Sequence, residues 1–376
     1  MRLTSEQEDL RSAVRGLLDR CRLGPEPDLA AERALWRRLC TEIGVAGLAI
    51  PERYGGAGAG PLEVHVVMEE LGRILMPSPM LGSAVLATQA LLGSQDEAAC
   101  SRLLPALADG REVAALAWTT AAGGFDPAEV GCSAARPRGT AAEGVAASGG
   151  WILTGQAHYV LDGAGASVLL VPAVLPDGGT GLFEVHPAQR AVTLSACATM
   201  DDTRRLAVVA LDGATARRIG GHAALDRARD AACIALSAEL VGAATEALAL
   251  TVAYTKVRVQ FGRPIGGFQA LAHRMAEMHV LVESARSLSY AAAEAAQQKA
   301  PDVALRAAAA KAYCSEALQR VSAEMIQLHG AIGMTWEHQA HRYFKRAHGA
   351  AMLLGTPAAH TGRIAAAVID CDAGHI

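Results

Sequence analysis

Arg258-Val259-Gln260-Phe261-Gly262-Arg263-Pro264-Ile265-Gly266-Gly267-Phe268-Gln269, continuing through His273 to Met278, is the run whose reading decides the fold. It lies between two long alanine-rich segments with helical patterning, and Gly262, Pro264, Gly266 and Gly267 supply the breaks of a helical hairpin. Taken alone, it is a basic, glycine-bearing corner able to hold an anion or a neighbouring chain.

Outward from that corner, residues 226–257, 267–299, 302–330 and 338–370 read as four long helices, with Pro301 at the first turn of the third. Alanine favours helix and permits close interhelical approach, so an antiparallel four-helix bundle is the economical arrangement. The N-terminal part, from Thr4 to Leu116, is also helical in pattern. Leu10, Val14, Leu17 and Leu18 recur at helical spacing, as do Leu35, Leu39 and Ile43. A Pro-Glu-Arg-Tyr-Gly-Gly loop within 44–60 interrupts the run, and helices over 62–75 and 81–92 follow. Between Ala114 and about Arg218 the rhythm changes. Trp151 to Leu153, Ser167 to Val171, Leu182 to Val185 and Leu206 to Leu211 are short runs separated by Gly, Pro and Asp, as in a β-domain. The expected fold is mainly α with a central β-domain: an N-terminal helical domain over 1–113, a β-barrel over 114–222 and a helical bundle over 223–376.

With 376 residues, 51% of them apolar, the chain can build a large core. A net charge of −4 with scattered Lys and Arg gives no argument for nucleic acid. No membrane span is expected, because Met1 to Arg20 is a charged amphipathic helix and the apolar segment 231–257 contains Glu239 and Glu246. Eight cysteines, at 21, 40, 100, 132, 197, 233, 314 and 371, show no paired spacing. Reduced thiols in a cytoplasmic protein are therefore expected, and the histidines lack metal-ligand spacing.

The decisive run resembles the acyl-CoA dehydrogenase pattern R-x-x-F-G-x-P-I-x-x-F-Q followed by H-x-x-A-x-M. Ile50 to Gly56 and Glu69 to Arg73 look like the N-terminal domain of the same family. The resemblance covers essentially the whole chain and implies the three-part fold above. It also implies FAD-dependent α,β-dehydrogenation of an acyl-CoA, in fatty acid or steroid catabolism, with an electron-acceptor flavoprotein. In this family a Glu removes the α-proton while the flavin takes the β-hydrogen. Each FAD is shared between subunits: one holds the ring and the base, a neighbour the ADP half.

The ADP side is matched here. Arg258 and Phe261 fall on the family's pyrophosphate- and adenine-side positions. Gln327, Gly330 and Gly333 match Q-x-x-G-G-x-G, with Ala331 replacing the middle glycine. An arginine fork suits a diphosphate, and glycines let backbone approach it closely. The ring side is not matched. The run T-E-P-G-A-G-S-D aligns on Thr119 to Asp126, so Thr119 is retained but the phosphate-facing serine is Phe125. The family's W-I-T falls on Tyr159-Val160-Leu161, which removes a hydroxyl expected near the flavin. The two known positions of the base fall on Leu354 and Ala232, and an arginine common beside the second falls on Cys233. Asp230, Glu239 and Glu246 are the nearby carboxylates.

This pattern resembles actinobacterial α2β2 members in which one subunit type lacks the base, and Thr335-Trp336-Glu337-His338 also looks like that group. The leading expectation is a subunit that completes a partner's FAD site in a hetero-oligomer. A homo-oligomeric flavin enzyme with monooxygenase-like chemistry, a non-catalytic scaffold, and a dehydrogenase with a displaced carboxylate are the alternatives.

Overall fold

The computed structural model describes residues 3–21, 29–126, 129–137 and 150–373, with side chains described through Ile369. Met1 and the Cys371 side chain lie outside the described residues. The chain forms two compact units, one of residues 1–27, 61–76 and 233–376, the other of residues 28–60 and 77–232.

The first unit is helical. Helix α1 (Ser5–Arg20) starts where Thr4 and Gln7 cap each other: the Gln7 N–H donates to Thr4 Oγ1 at 3.3 Å, and the Thr4 N–H to Gln7 Oε1 at 3.1 Å. Val14, Leu17 and Leu18 form its buried stripe, as their spacing predicts. In the second unit α2 is Leu29–Arg38. Helix α3 (Pro61–Arg73) returns to the first unit, and Met80–Ala87, a π-helical stretch in the second, continues into α4 (Thr88–Ser94) and is followed by α5 (Glu97–Ala108).

The expected strands all appear, most of them longer than their apolar runs. Strand β1 (Ala114–Leu116) takes the three residues at the end of the stretch read as helical. After it come β2 (Cys132–Ala135), β3 (Trp151–Leu161), β4 (Val168–Val174), β5 (Thr180–Val185), β6 (Val192–Ala196) and β7 (Leu206–Gly221). Pairings β4–β2–β3–β7–β5 close on themselves through β4–β5, so the sheet is a barrel, with β1 beside β4 and β6 beside β7. Closure removes the exposed edges. Leu153, Leu169, Val171, Phe183, Val209 and Leu211 fill the interior, where Trp151 meets Phe183 edge-on at 5.5 Å.

Helix α6 (Ala223–Val257) is long and apolar enough to cross a membrane, yet most of its apolar window is buried within the structure. The remaining helices are α7 (Gln269–Gln297), α8 (Val303–His329), α9 (Ala340–Met352) and α10 (Pro357–Ala373). Two expectations are corrected here. Pro301 lies before α8, whose N-cap is Asp302. The single helix expected over 338–370 is two helices, because Leu354 (φ 58°) and Gly355 (φ 99°) turn left-handed before Pro357 opens α10. The buried Lys311 holds that break: its Nζ donates to the carbonyls of Ala351 and Gly355, both at 3.2 Å. None of the seven cysteines with described side chains forms a disulfide.

In the first unit, α3 and α6 meet backbone to backbone. A methyl group at Gly72 would collide with the Glu239 carbonyl, and one at Gly242 with the Glu69 carbonyl. Around this crossing the carboxylates are paired. Glu69 is bound by Arg286, by Arg11 at 3.3 Å and by Tyr290 Oη–H at 2.8 Å. Glu70 takes a two-point contact from Arg15 at 2.9 and 2.7 Å, and Glu239 pairs with Arg346. Of these, the Glu239–Arg346 pair is buried on both sides and is costly to break singly, about 3–5 kcal/mol. Beside them, His65 Nε2 bonds Ser289 Oγ at 2.8 Å and Ser289 bonds Ser237 at 2.6 Å.

Substituting Gly242→Ala should destabilise the protein by about 1–3 kcal/mol through overpacking, read as a lower urea midpoint; an unchanged midpoint would refute the backbone contact. Burial pushes His65 down to about 3 from its ordinary 6.5. The folded state then binds fewer protons than the unfolded one between those values, so stability is lost as pH falls through that window. Urea titrations between pH 6.5 and about 4 should show wild type losing up to about 1.4 kcal/mol per pH unit more than His65→Gln.

Candidate functional site

The corner at Arg258 is a tight hairpin. Val259–Gln260 pairs with Arg263–Pro264, and the two tip residues, Phe261 (φ 50°) and Gly262 (φ 78°), both have positive φ. This is the geometry of a primed two-residue turn, and it accounts for the glycine. The strained conformation thrusts Phe261 outward until it is 92% exposed. Arg258 is exposed directly before the hairpin, and its carbonyl accepts the Ile265 N–H at 2.8 Å, which fixes the loop on the helix end. Phe268 stands edge-on to Phe261 at 6.1 Å, with the Arg263 guanidinium 4.1 Å above its ring.

A second corner follows α8. Gly330 turns at φ 65° and residues 330–334 form one 3-10 stretch. Gln327 and Gly330 are exposed, whereas Gly333 is buried where a Cβ would press on the Ile326 carbonyl at 3.0 Å. The two corners are tied together by aromatic rings. Tyr254, one turn before Arg258, stacks on His329 at 4.4 Å and donates its hydroxyl to the His329 carbonyl at 3.3 Å. His329 in turn lies 4.3 Å from the His338 ring. His329 Nδ1–H donates to the Met325 carbonyl at 2.7 Å, and burial lowers the pKa of both histidines. Neutral rings can stack without burying charge. Thus Arg258, Phe261, Gln327 and Gly330 are held on neighbouring corners with exposed backbone and side chains. The histidine stack was missed in the sequence; its only signal was His329 inside the Gln327 to Gly333 run.

The positions matched to the ring side look different. Thr119 is buried and its carbonyl accepts the His158 N–H at 2.8 Å. Phe125 packs edge-on against Trp118 at 5.8 Å, Tyr159 takes φ 52°, and Leu161 is buried. An aromatic ring and an aliphatic side chain thus stand where donors were expected. Leu354 is 1% exposed and Ala232 fully buried, so neither position offers a proton acceptor. The Leu354 carbonyl bonds His360 Nε2 at 2.8 Å, and Cys233 Sγ lies 3.9 Å from the same nitrogen. Of the nearby carboxylates, Glu239 is held by Arg346 and Asp230 by Arg229 at 3.2 Å. Both carboxylates are engaged in ion pairs with a guanidinium. Among the described residues no group of three or more His, Cys, Asp or Glu side chains could hold a metal ion.

Residues 4–111 match the model of the acyl-CoA dehydrogenase N-terminal domain, and residues 220–369 that of the acyl-CoA dehydrogenase C-terminal domain. The chain is 37% identical over 376 residues to acyl-CoA dehydrogenase IpdE2 of Mycolicibacterium smegmatis, covering 97% of this chain and 100% of that one. Among solved structures it resembles a variant of the Tcur3481-Tcur3483 steroid ACAD, with TM-score 0.86 and 32% identity over 98% of this chain and 99% of that one. It also resembles the ChsE4-ChsE5 complex of Mycobacterium tuberculosis, with TM-score 0.85 and 29% identity over 98% of each chain. With both terminal domain models matched and a relative of this identity aligned end to end, the chain belongs to the acyl-CoA dehydrogenase family, flavoproteins that oxidise a CH–CH bond of an acyl thioester.

Proposed function

We propose that this chain is the subunit of a heteromeric acyl-CoA dehydrogenase that lends the ADP-binding half of an FAD site to a partner subunit, which carries the ring pocket and the catalytic Glu. The carrying observation is the contrast between the exposed Arg258–Phe261 hairpin and the buried, non-ionisable Leu354 and Ala232. Its residues fit the dinucleotide's phosphate end: an exposed guanidinium, an exposed aromatic tip, and glycine backbone at Gly330. They do not fit the flavin end, where Phe125 and Leu161 replace donors, although Thr119 is retained with its carbonyl accepting the His158 N–H of β3. When bound, FAD supplies the hydride acceptor for the acyl β-carbon. This chain's part is to hold the diphosphate at Arg258, the adenine side at Phe261, and backbone contacts at Gln327, Gly330 and Gly333.

Two of the similar structures carry paired names, Tcur3481-Tcur3483 and ChsE4-ChsE5, which supports a two-component assembly. The word steroid in the first supports a steroid-derived acyl-CoA as one substrate class. In this reading the regions 1–113, 114–222 and 223–376 act as the family's three domains, in a cytoplasmic enzyme that passes electrons to an acceptor flavoprotein.

The experiment is co-expression with a second acyl-CoA dehydrogenase subunit. Arg258→Ala should weaken FAD retention by the complex about tenfold or more, since a charged hydrogen bond is lost, while the complex still elutes as one species. Leu354→Glu in this chain should leave turnover unchanged, and replacing the partner's catalytic Glu should abolish it. Turnover that survives loss of the partner's Glu, or flavin retention indifferent to Arg258, would refute the assignment.

A further inference from the structure

Within the unit that contains the barrel lies a cavity of 470 Å³, in the size range of small-molecule sites. Thr119, Phe125 and Leu161 do not line it. Its apolar wall comes from Leu29 and Trp36 on α2, Pro77 and Pro79, Val113, and Leu206.

Its charged groups are unequally satisfied. Glu32 and Arg205 neutralise each other through two contacts, at 2.6 and 3.3 Å. Asp162 is different. Held at φ 58° against Gly82, its side chain makes no hydrogen bond among the described residues. Desolvation pushes its carboxyl up to about 7 in spite of Arg204 and Arg205, so near neutral pH it can accept or donate a proton in a hydrogen bond. Arg33, on the exposed side of α2, has no hydrogen-bond or ion-pair partner among the described residues. Trp36 Nε1 is buried without a partner. Buried polar groups left unmatched are rare in folded proteins, and a bound molecule is one way to match them.

We infer that this cavity is a second ligand site, for an amphipathic monocarboxylate bearing a hydroxyl group: apolar body on Trp36 and Leu206, hydroxyl at Asp162, carboxylate at Arg33. The cavity combines a carboxyl without a hydrogen-bond partner among the described residues, at Asp162, an exposed guanidinium without an ion-pair partner among them, at Arg33, and an apolar wall, with Asp202 and Arg204 also in its lining, which together complement such a molecule. Compounds with neither end polar would leave Asp162 and Arg33 as they are.

The test is calorimetric titration of the full chain with 12-hydroxydodecanoate, using dodecanoate as the comparison. The expected result is saturable binding at one site per chain, weaker for dodecanoate and weaker by about tenfold in Arg33→Glu. Ala164→Trp, which places a ring at the exposed cavity wall, should abolish binding without changing FAD retention in the complex. Unsaturable heats, no binding, or equal binding by Ala164→Trp would overturn the inference. Should that variant fail to fold, Arg33→Glu decides, because an exposed helix position tolerates the change and unaltered affinity there equally refutes the site.

Discussion

The helical unit depends on one close contact. At Gly72 and Gly242 the backbones of α3 and α6 touch, each glycine lying against a carbonyl of the other helix near Glu239 and Glu69. No side chain fits between them, so the carboxylates flanking the crossing are forced into the interior. Charges so placed need partners, and Arg11, Arg15, Arg286 and Arg346 provide them. The arrangement has a chemical consequence for Glu239. Side chain and guanidinium are both almost wholly buried, so this carboxylate is committed to structure.

The positions matched to the two halves of the family's cofactor site differ in structure. Leu354 sits in a left-handed turn whose carbonyl and neighbours are tied by His360 and Lys311. This is an ordered turn with an aliphatic side chain at a position where the family resemblance leads one to expect a carboxylate. The Arg258 hairpin is equally ordered, yet its side chains face outward, and the Tyr254–His329–His338 stack buttresses it from behind. A corner rigid in backbone and unfilled in side chain is preorganised for a ligand or a neighbouring chain. In the proposed reading the chain keeps a surface for the cofactor's ADP half and has no carboxylate at the two positions, Leu354 and Ala232, where the resemblance places the base.

Much of this was legible in the sequence, for physical reasons that can be named. Helical spacing at Val14, Leu17 and Leu18, and short apolar runs such as Leu182 to Val185, reflect burial directly, so elements and fold class followed. The substitutions at Phe125, Leu161 and Leu354 were visible because a motif surrounds each. What failed was local backbone detail. The break at Leu354–Gly355 is fixed by Lys311, which is 43 residues away from Leu354 in the chain and carries no signal of that role. Likewise, the ion pairs of Glu69 and Glu239 join residues far apart in sequence, and the cavity around Asp162 assembles segments from α2 to β7. Periodicity reports which residues are buried; it does not report which partners they meet.

The measurement that bears most directly on the central claim is the ratio of flavin absorbance to protein, for the chain purified alone and for the chain purified with a second acyl-CoA dehydrogenase subunit. A colourless lone chain and about one FAD per pair of subunits in the complex is the result that follows from a lent ADP site. A lone chain that is yellow, with one flavin for every protomer, would contradict it.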